Sequence, residues 1–191
     1  MLDVTARPLR EPDLPAADQI MRLAFGTFLG LPDPTSFGGD AACVRARWRA
    51  DPDAAFAADV GGTLAGSNFA AHWGSVGFFG PLTVHPALWD RGVGKRLVEP
   101  VMECFARWNT VHAGLFTFAD SQKHLALYQK FGFWPRFLTA IMSKTVGPAS
   151  PAVQWTRFSD VPGGERQAIL EACRQITDEI YDGLDVSAEI E

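Results

Sequence analysis

The stretch Pro81-Leu-Thr-Val-His-Pro-Ala-Leu-Trp-Asp-Arg-Gly-Val-Gly-Lys-Arg-Leu-Val98 leaves few local folds open. An apolar strand breaks at Pro86, a short loop crosses, and a helix opens through Gly92, Gly94 and the basic pair Lys95-Arg96. First-turn helix amides have no intrahelical partners and carry the positive end of the dipole. Glycines there let a phosphate approach closely, so the segment is built to hold a pyrophosphate. Arg91, Gly92, Val93, Gly94, Lys95 and Arg96 are its expected ligands, the glycines giving clearance and the cations charge.

Two common nucleotide loops do not fit. A dinucleotide-binding fingerprint wants Gly or Ala where Leu97 stands, and a P-loop wants a wider glycine spacing and Ser or Thr where Arg96 stands. A second motif follows, Ser121-Gln-Lys-His-Leu-Ala-Leu-Tyr-Gln-Lys-Phe-Gly-Phe133. It reads as a short helix capped by Asp120 or Ser121 and closed by Gly132. Helical periodicity lines up Ser121, Leu125 and Tyr128, with His124, Leu127 and Phe131 on the neighbouring stripe.

Together the two motifs resemble the GNAT superfamily of N-acetyltransferases, which use acetyl-coenzyme A. In that family a strand Leu-x-Val-x-Pro leads into [Gln/Arg]-x-x-Gly-x-[Gly/Ala], and a later helix reads Asn-x-x-Ala-x-x-x-Tyr-x-x-x-Gly-Phe. Here Leu82-Thr-Val-His-Pro86 precedes Trp89-Asp-Arg-Gly92-Val-Gly94, and Ser121, His124, Tyr128 and Gly132-Phe133 follow in order. Trp89 stands for Gln or Arg, Ser121 for Asn and His124 for Ala. The resemblance spans residues 2 to 144. It implies an α/β (α+β) fold with a central mixed, mostly antiparallel sheet flanked by helices. It further implies transfer of an acetyl group from acetyl-CoA, a cosubstrate, to an amine of a small molecule or peptide in a ternary complex, without a metal. Strand splaying would free backbone amides at Leu82, Thr83 and Val84 to bond the pantetheine and polarise the thioester. Ser121 and His124 would flank the pantetheine, and Tyr128 would be the acid for the leaving thiol. His72, His85 and Asp120 are candidates for accepting the amine proton.

Composition narrows the partners. A net charge of -5 argues against a nucleic-acid partner, and on that background the basic cluster after Trp89 favours a small polyanion. Cys43, Cys104 and Cys173 fit neither a disulfide framework nor a zinc pattern. With no leader-like segment near Met1 and no apolar run long enough to span a membrane, a cytoplasmic, membrane-free protein is expected.

Residues 2–10 read as a strand, followed by a helix from Asp13 to near Gly26 and an apolar-rich loop over Phe25–Asp40. A helix over Asp40–Arg49 precedes strands at Ala54–Val60, Thr63–Trp73 and Ser75–Val84. The helix after the phosphate loop carries a buried stripe, Leu97, Val101, Cys104, Phe105 and Trp108, with a kink expected near Arg96–Pro100. Val111–Phe118 and Phe137–Lys144 complete the strands of a domain over residues 1–144. Residues 145–152 read as a linker, and 153–191 as a strand (Val153–Phe158) and helix (Gly163–Tyr181). This extension either opens an incomplete second copy of the domain or packs as a terminal helix on the domain or on a second subunit, giving a homodimer. The resemblance puts the acceptor between Phe25–Asp40 and Trp134–Thr139, with Phe28, Phe37 and His72 as contacts and an apolar acceptor body expected. Trp89, Ser121 and His124 leave an alternative, an acyl-CoA sensor or partner-binding module without turnover.

Overall fold

Side-chain alternation along the central strands decides which helices cover which face of the sheet. The computed structural model describes residues 2–140, 142, 144–145 and 155–190. Strands β1 (Val4–Pro8), β2 (Ala55–Val60), β3 (Thr63–Trp73) and β4 (Val76–Phe79) pair antiparallel in sequence order. β5 (Thr83–Val84) also pairs antiparallel with β3, and β6 (His112–Gly114) lies parallel to β4. One face, with Ala55, Ala57 and Phe69, is covered by Leu14, Ala17 and Met21 of α1 (Leu14–Phe28) and Val44 of α2 (Cys43–Ala50). The other, with Phe56, Ala58, Ala65, Ala70 and Phe79, meets α3 (Val93–Trp108) and Tyr128 of α4 (Gln122–Gln129). Leu97, Val98 and Val101 of α3 are fully buried, each such side chain contributing roughly 1.5–3 kcal/mol. The sheet is thus mixed and mostly antiparallel, with helices on both faces, as the resemblance implies.

The expected single strand over Ser75–Val84 is divided. From Phe79 to Thr83 it advances four residues while its partner β3 retreats three, from Ala70 to Ser67. That one-residue slip, at Gly80-Pro81-Leu82, is a bulge, and bulges bend the strand that carries them. β6 pairs with β4 only as far as Phe78↔Gly114, so among the described residues the chain beyond Phe79 has no partner strand on that side. The expected strand Val111–Phe118 shortens accordingly, because Leu115 to Phe118 diverge from their neighbour.

Other boundaries move for physical reasons. α1 runs two residues beyond Gly26, whose role is close packing rather than capping: a Cβ there would lie 2.1 Å from the Pro34 carbonyl oxygen. Pro100 does not end α3. Asn68, fully buried on β3, donates through Nδ2 to the Leu97 carbonyl at 3.1 Å, in the turn that the proline interrupts. Of the expected strand Phe137–Lys144, residues 137–140, 142 and 144 form no strand, and 141 and 143 lie outside the described residues. The linker over 145–152 is described only at Thr145. Trp155–Arg157 are likewise unpaired, and Phe158–Asp160 form a 3-10 turn; Val153 and Gln154 lie outside the described residues. Apolar alternation makes a strand only where an edge is at hand to receive it.

The C-terminal helices α5 (Gly163–Asp178) and α6 (Ser187–Ile190) are fastened to the β3–β4 turn. Ser75 N–H donates to Gly183 O at 2.8 Å and Asp185 N–H to Trp73 O at 3.2 Å. Glu189 accepts from the Trp73 indole at 2.9 Å and pairs with Arg47 of α2 at 2.5 Å.

Arg7 on β1 clamps Asp59 of β2 and Asp13 at the head of α1, each at 2.6 Å. The Arg7 hydrogen bond, outweighing burial, holds the Asp13 carboxyl at about 2. A carboxylate with a depressed native pKa stabilises above its unfolded value and loses that contribution as pH falls through the native one. Asp13→Asn is expected to lower unfolding free energy by about 1–2 kcal/mol near neutral pH, and by progressively less as pH approaches about 2, in urea titrations across that range. Gly66 is the closest-packed point behind β5, where a Cβ would fall 2.3 Å from the Thr83 carbonyl oxygen. Gly66→Ala is expected to cost at least roughly 1–3 kcal/mol, measurable as a lowered denaturation midpoint.

Candidate active site

A cavity of about 840 Å³ opens where β5 and the end of β6 part. One wall is Phe79 to Val84, the facing wall Leu115 to Phe118, and α4 closes a side with Ser121, Lys123, His124, Leu127, Tyr128 and Lys130. Loop and helix residues Leu88 to Asp90 and Gly92 to Lys95 form one end, and Ala24, Phe25 and Phe28 of α1 contribute another part of the wall.

Backbone polarity along β5 follows from its register. His85 N–H donates to Ala65 O on β3 at 2.8 Å, so by strand alternation the Val84 amide and carbonyl face away from β3, toward the cavity. The carbonyl is occupied: Trp89 Nε1–H donates to Val84 O at 2.8 Å. Trp89 therefore fastens the loop to the strand through a neutral N–H, where the family pattern has Gln or Arg. The Val84 N–H is left aimed at the cleft.

The next turn is open. Asp90 has φ 62° and Gly92, the cap of α3, φ 83°, and a Cβ at Gly92 would meet nothing within 4 Å. The first amides of α3 thus open onto unobstructed space beside the cavity. Lys95 lines the cavity, whereas Arg91 and Arg96 do not. Lys95 and Arg96 both lean on Glu99, at 3.8 and 3.1 Å.

Tyr128 is buried against Phe79, ring centroids 5.8 Å apart. Burial pushes its phenol up to about 12, with Thr117 opposing, so the hydroxyl stays protonated near neutral pH. His124, one turn earlier on α4, packs 5.2 Å from Phe28, and Phe28 lies 4.6 Å from Phe118. Burial lowers the His124 pKa, Asp120 opposing, and its Nδ1 is buried without a partner.

Leu82, Thr83, Val84, Gly92, Val93, Gly94, Lys95, Ser121, His124, Tyr128 and Phe28 therefore share one cavity. Phe37 stands one layer behind, stacked on Phe25 at 5.0 Å. His72 lies outside, stacked on Trp108 at 4.8 Å. His85 accepts the Ala87 amide at 3.2 Å and so caps the loop turn. Trp134, Phe137 and Leu138 are exposed, and the first two line a separate groove with His112 and Tyr181. Sequence reasoning did not find Thr117, Phe116, Phe118 or Lys123, whose placement depends on strand divergence and on helix orientation. It also missed Arg22, which donates to the carbonyls of Phe37, Gly39 and Ala41, each at 2.7 Å, and folds the α1–α2 loop. Among the described residues no group of three or more His, Cys, Asp or Glu is placed to hold a metal, and no helix is long and apolar enough to cross a membrane.

Known proteins share this architecture. A GNAT family acetyltransferase from Brucella melitensis in complex with acetyl-CoA superposes with TM-score 0.52 at 17% identity, covering 71% of this chain and 85% of its own. The PaiA N-acetyltransferase from Thermoplasma acidophilum in complex with coenzyme A gives TM-score 0.56 at 15% identity over 68% and 89%. A longer protein from Pyrococcus horikoshii gives TM-score 0.53 at 19% identity over 70% of this chain, which spans only 44% of that one. At such identities the likeness is one of fold. No curated protein sequence matches significantly. The model of the acetyltransferase (GNAT) family matches residues 18–133, more than half of the sequence and both motifs within it. The chain belongs to the GNAT acetyltransferase family.

Proposed function

We propose that the protein transfers the acetyl group of acetyl-CoA to a primary amine by direct attack in a ternary complex, and that the acceptor has an apolar body. The observation that carries this reading is the convergence on one cavity of the α3 N-terminus, the Val84 amide and the Tyr128 hydroxyl. Gly92, Val93, Gly94 and Lys95 would hold the diphosphate, and Val84 with Ser121 the pantetheine. The Brucella and Thermoplasma proteins, bound to acetyl-CoA and coenzyme A, support a coenzyme of that class here. Phe25, Phe28, Phe116 and Phe118 on the cavity wall support the apolar acceptor.

The chemistry divides among few groups. The amine attacks as its free base, forming the C–N bond while negative charge collects on the thioester oxygen. An amide such as Val84 N–H stabilises that oxygen because it is already oriented and needs no rearrangement. The C–S bond then breaks, and Tyr128 donates its hydroxyl hydrogen to the departing sulfur. A phenol at about 12 is a weaker acid than a thiol near 8.5, so its contribution is a hydrogen bond that strengthens as the thiolate forms. The nitrogen of the tetrahedral adduct, cationic after the attack, loses its proton to solvent, and the neutral amide is left.

Calorimetry with acetyl-CoA, followed by an amine panel read through thiol release, tests the assignment. Binding and turnover, best on amines with aromatic or aliphatic bodies, are expected. Binding with no turnover on any amine would favour the sensor reading, and polyamines as best substrates would overturn the apolar acceptor. In Tyr128→Phe, kcat is expected to fall about 100-fold or more, with the acetyl-CoA dissociation constant within about twofold. Because the Tyr128 phenol titrates near 12, the wild-type rate is expected to show no alkaline loss from it below about pH 10, as a pH–rate profile would reveal.

A further inference from the structure

The loop that precedes α3 contains an acid where an anion is to be bound. Asp90 lies two residues before the helix cap and lines the cavity end formed by that loop. Its carboxylate is met by the ammonium of Lys123, which comes from the first turn of α4 on another wall, 33 residues further along the chain. The pair bridges two elements that the cavity otherwise separates, and both side chains are largely exposed, 63% for Asp90 and 73% for Lys123. The other cations near the loop differ. Lys95 and Arg96 share Glu99 on their own helix, and Lys130, which also lines the cavity, sits about two turns further along the α4 axis.

An exposed ion pair of this kind is weak, and both of its members rehydrate easily when it opens. A diphosphate, with two negative charges and four non-bridging oxygens, offers Lys123 more charge and more acceptors than one carboxylate does. Where the phosphate arrives, Asp90 would face it as a like charge, and the arrangement is most stable if Lys123 moves from one to the other.

We infer that Lys123 is a phosphate ligand of the coenzyme, held in reserve by Asp90, and that Asp90 opposes binding. The inference rests on the coenzyme reading of the cavity. It differs from a strap, in which the Asp90–Lys123 pair would persist across the bound ligand and both residues would favour binding. The sign of the Asp90 effect separates the two.

The test is calorimetric titration of wild type, Lys123→Gln and Asp90→Asn with coenzyme A, and with pantetheine, which has no phosphate. Asn tolerates the left-handed backbone at position 90, and Gln suits a helix, so circular dichroism is expected to show all three folded. Lys123→Gln is expected to weaken coenzyme A binding about tenfold and leave pantetheine binding unchanged, while Asp90→Asn tightens coenzyme A binding severalfold. Equal affinity of Lys123→Gln and wild type for coenzyme A would overturn the inference, as would an equal loss with pantetheine. Weakening by Asp90→Asn to the level of Lys123→Gln would establish the strap instead. If wild type bound coenzyme A while Lys123→Gln changed nothing, this inference alone would fall. Absence of coenzyme binding to wild type would remove the functional reading as well.

Discussion

The site depends on a strand that loses one of its two neighbours. β4 is paired on both edges as far as Phe78, and after Phe79 the chain keeps β3 but leaves β6. Backbone amides inside a protein seek partners, so a half-paired strand at the centre of a sheet is unfavourable unless something else meets its polar groups. Here Trp89 meets the Val84 carbonyl, and the amide of the same residue faces an opening wide enough for an extended molecule. Under the proposed function the vacancy in the hydrogen-bond ladder is the recognition element, and the bulge at Gly80-Pro81-Leu82 bends the strand where the neighbour is lost.

The remaining parts are arranged around that opening by ordinary packing. Gly66 lets β5 lie close to β3, Leu97 fills the space beneath, and α3 thereby directs its N-terminus toward the cleft. Burial of Val93, Leu97, Val98 and Val101 along one stripe holds that helix, so its N-terminal end is positioned by apolar contacts and not by its own charges. Tyr128 sits in the same core, which explains both its high pKa and its fixed orientation against Phe79.

The sequence made local features legible and left distant pairings hidden. Gly92, Gly94, Ser121 and Tyr128 could be read because capping, glycine freedom and helical spacing act within a few residues. Strands β2 and β3 could be read from alternation and the Gly61-Gly62 turn. The division of Ser75–Val84 could not, because a register slip depends on what β3 and β6 do opposite it. The expected strands over 137–144 and 153–158 failed on their described residues for the same reason, since apolar alternation says nothing of whether an edge is free. Trp89 looked like a departure from the phosphate loop, yet its indole N–H supplies a backbone bond that no periodicity announces. Arg22, Thr117 and Lys123 were invisible because each acts on residues far along the chain.

The Arg22 guanidinium gathers three main-chain oxygens of the α1–α2 loop and is itself steadied by Asp18 at 2.7 Å. A segment of turns, among them a 3-10 turn at Pro34–Ser36, is thereby governed from a rigid helix at a single point. Phe37, pinned through its own carbonyl, is stacked behind Phe25 on the cavity wall. Exchange of loop residues other than Phe37, Gly39 and Ala41 can then recontour the cavity wall while the scaffold stays still, and under the proposed acceptor reading this gives acceptor choice room to drift without disturbing the fold.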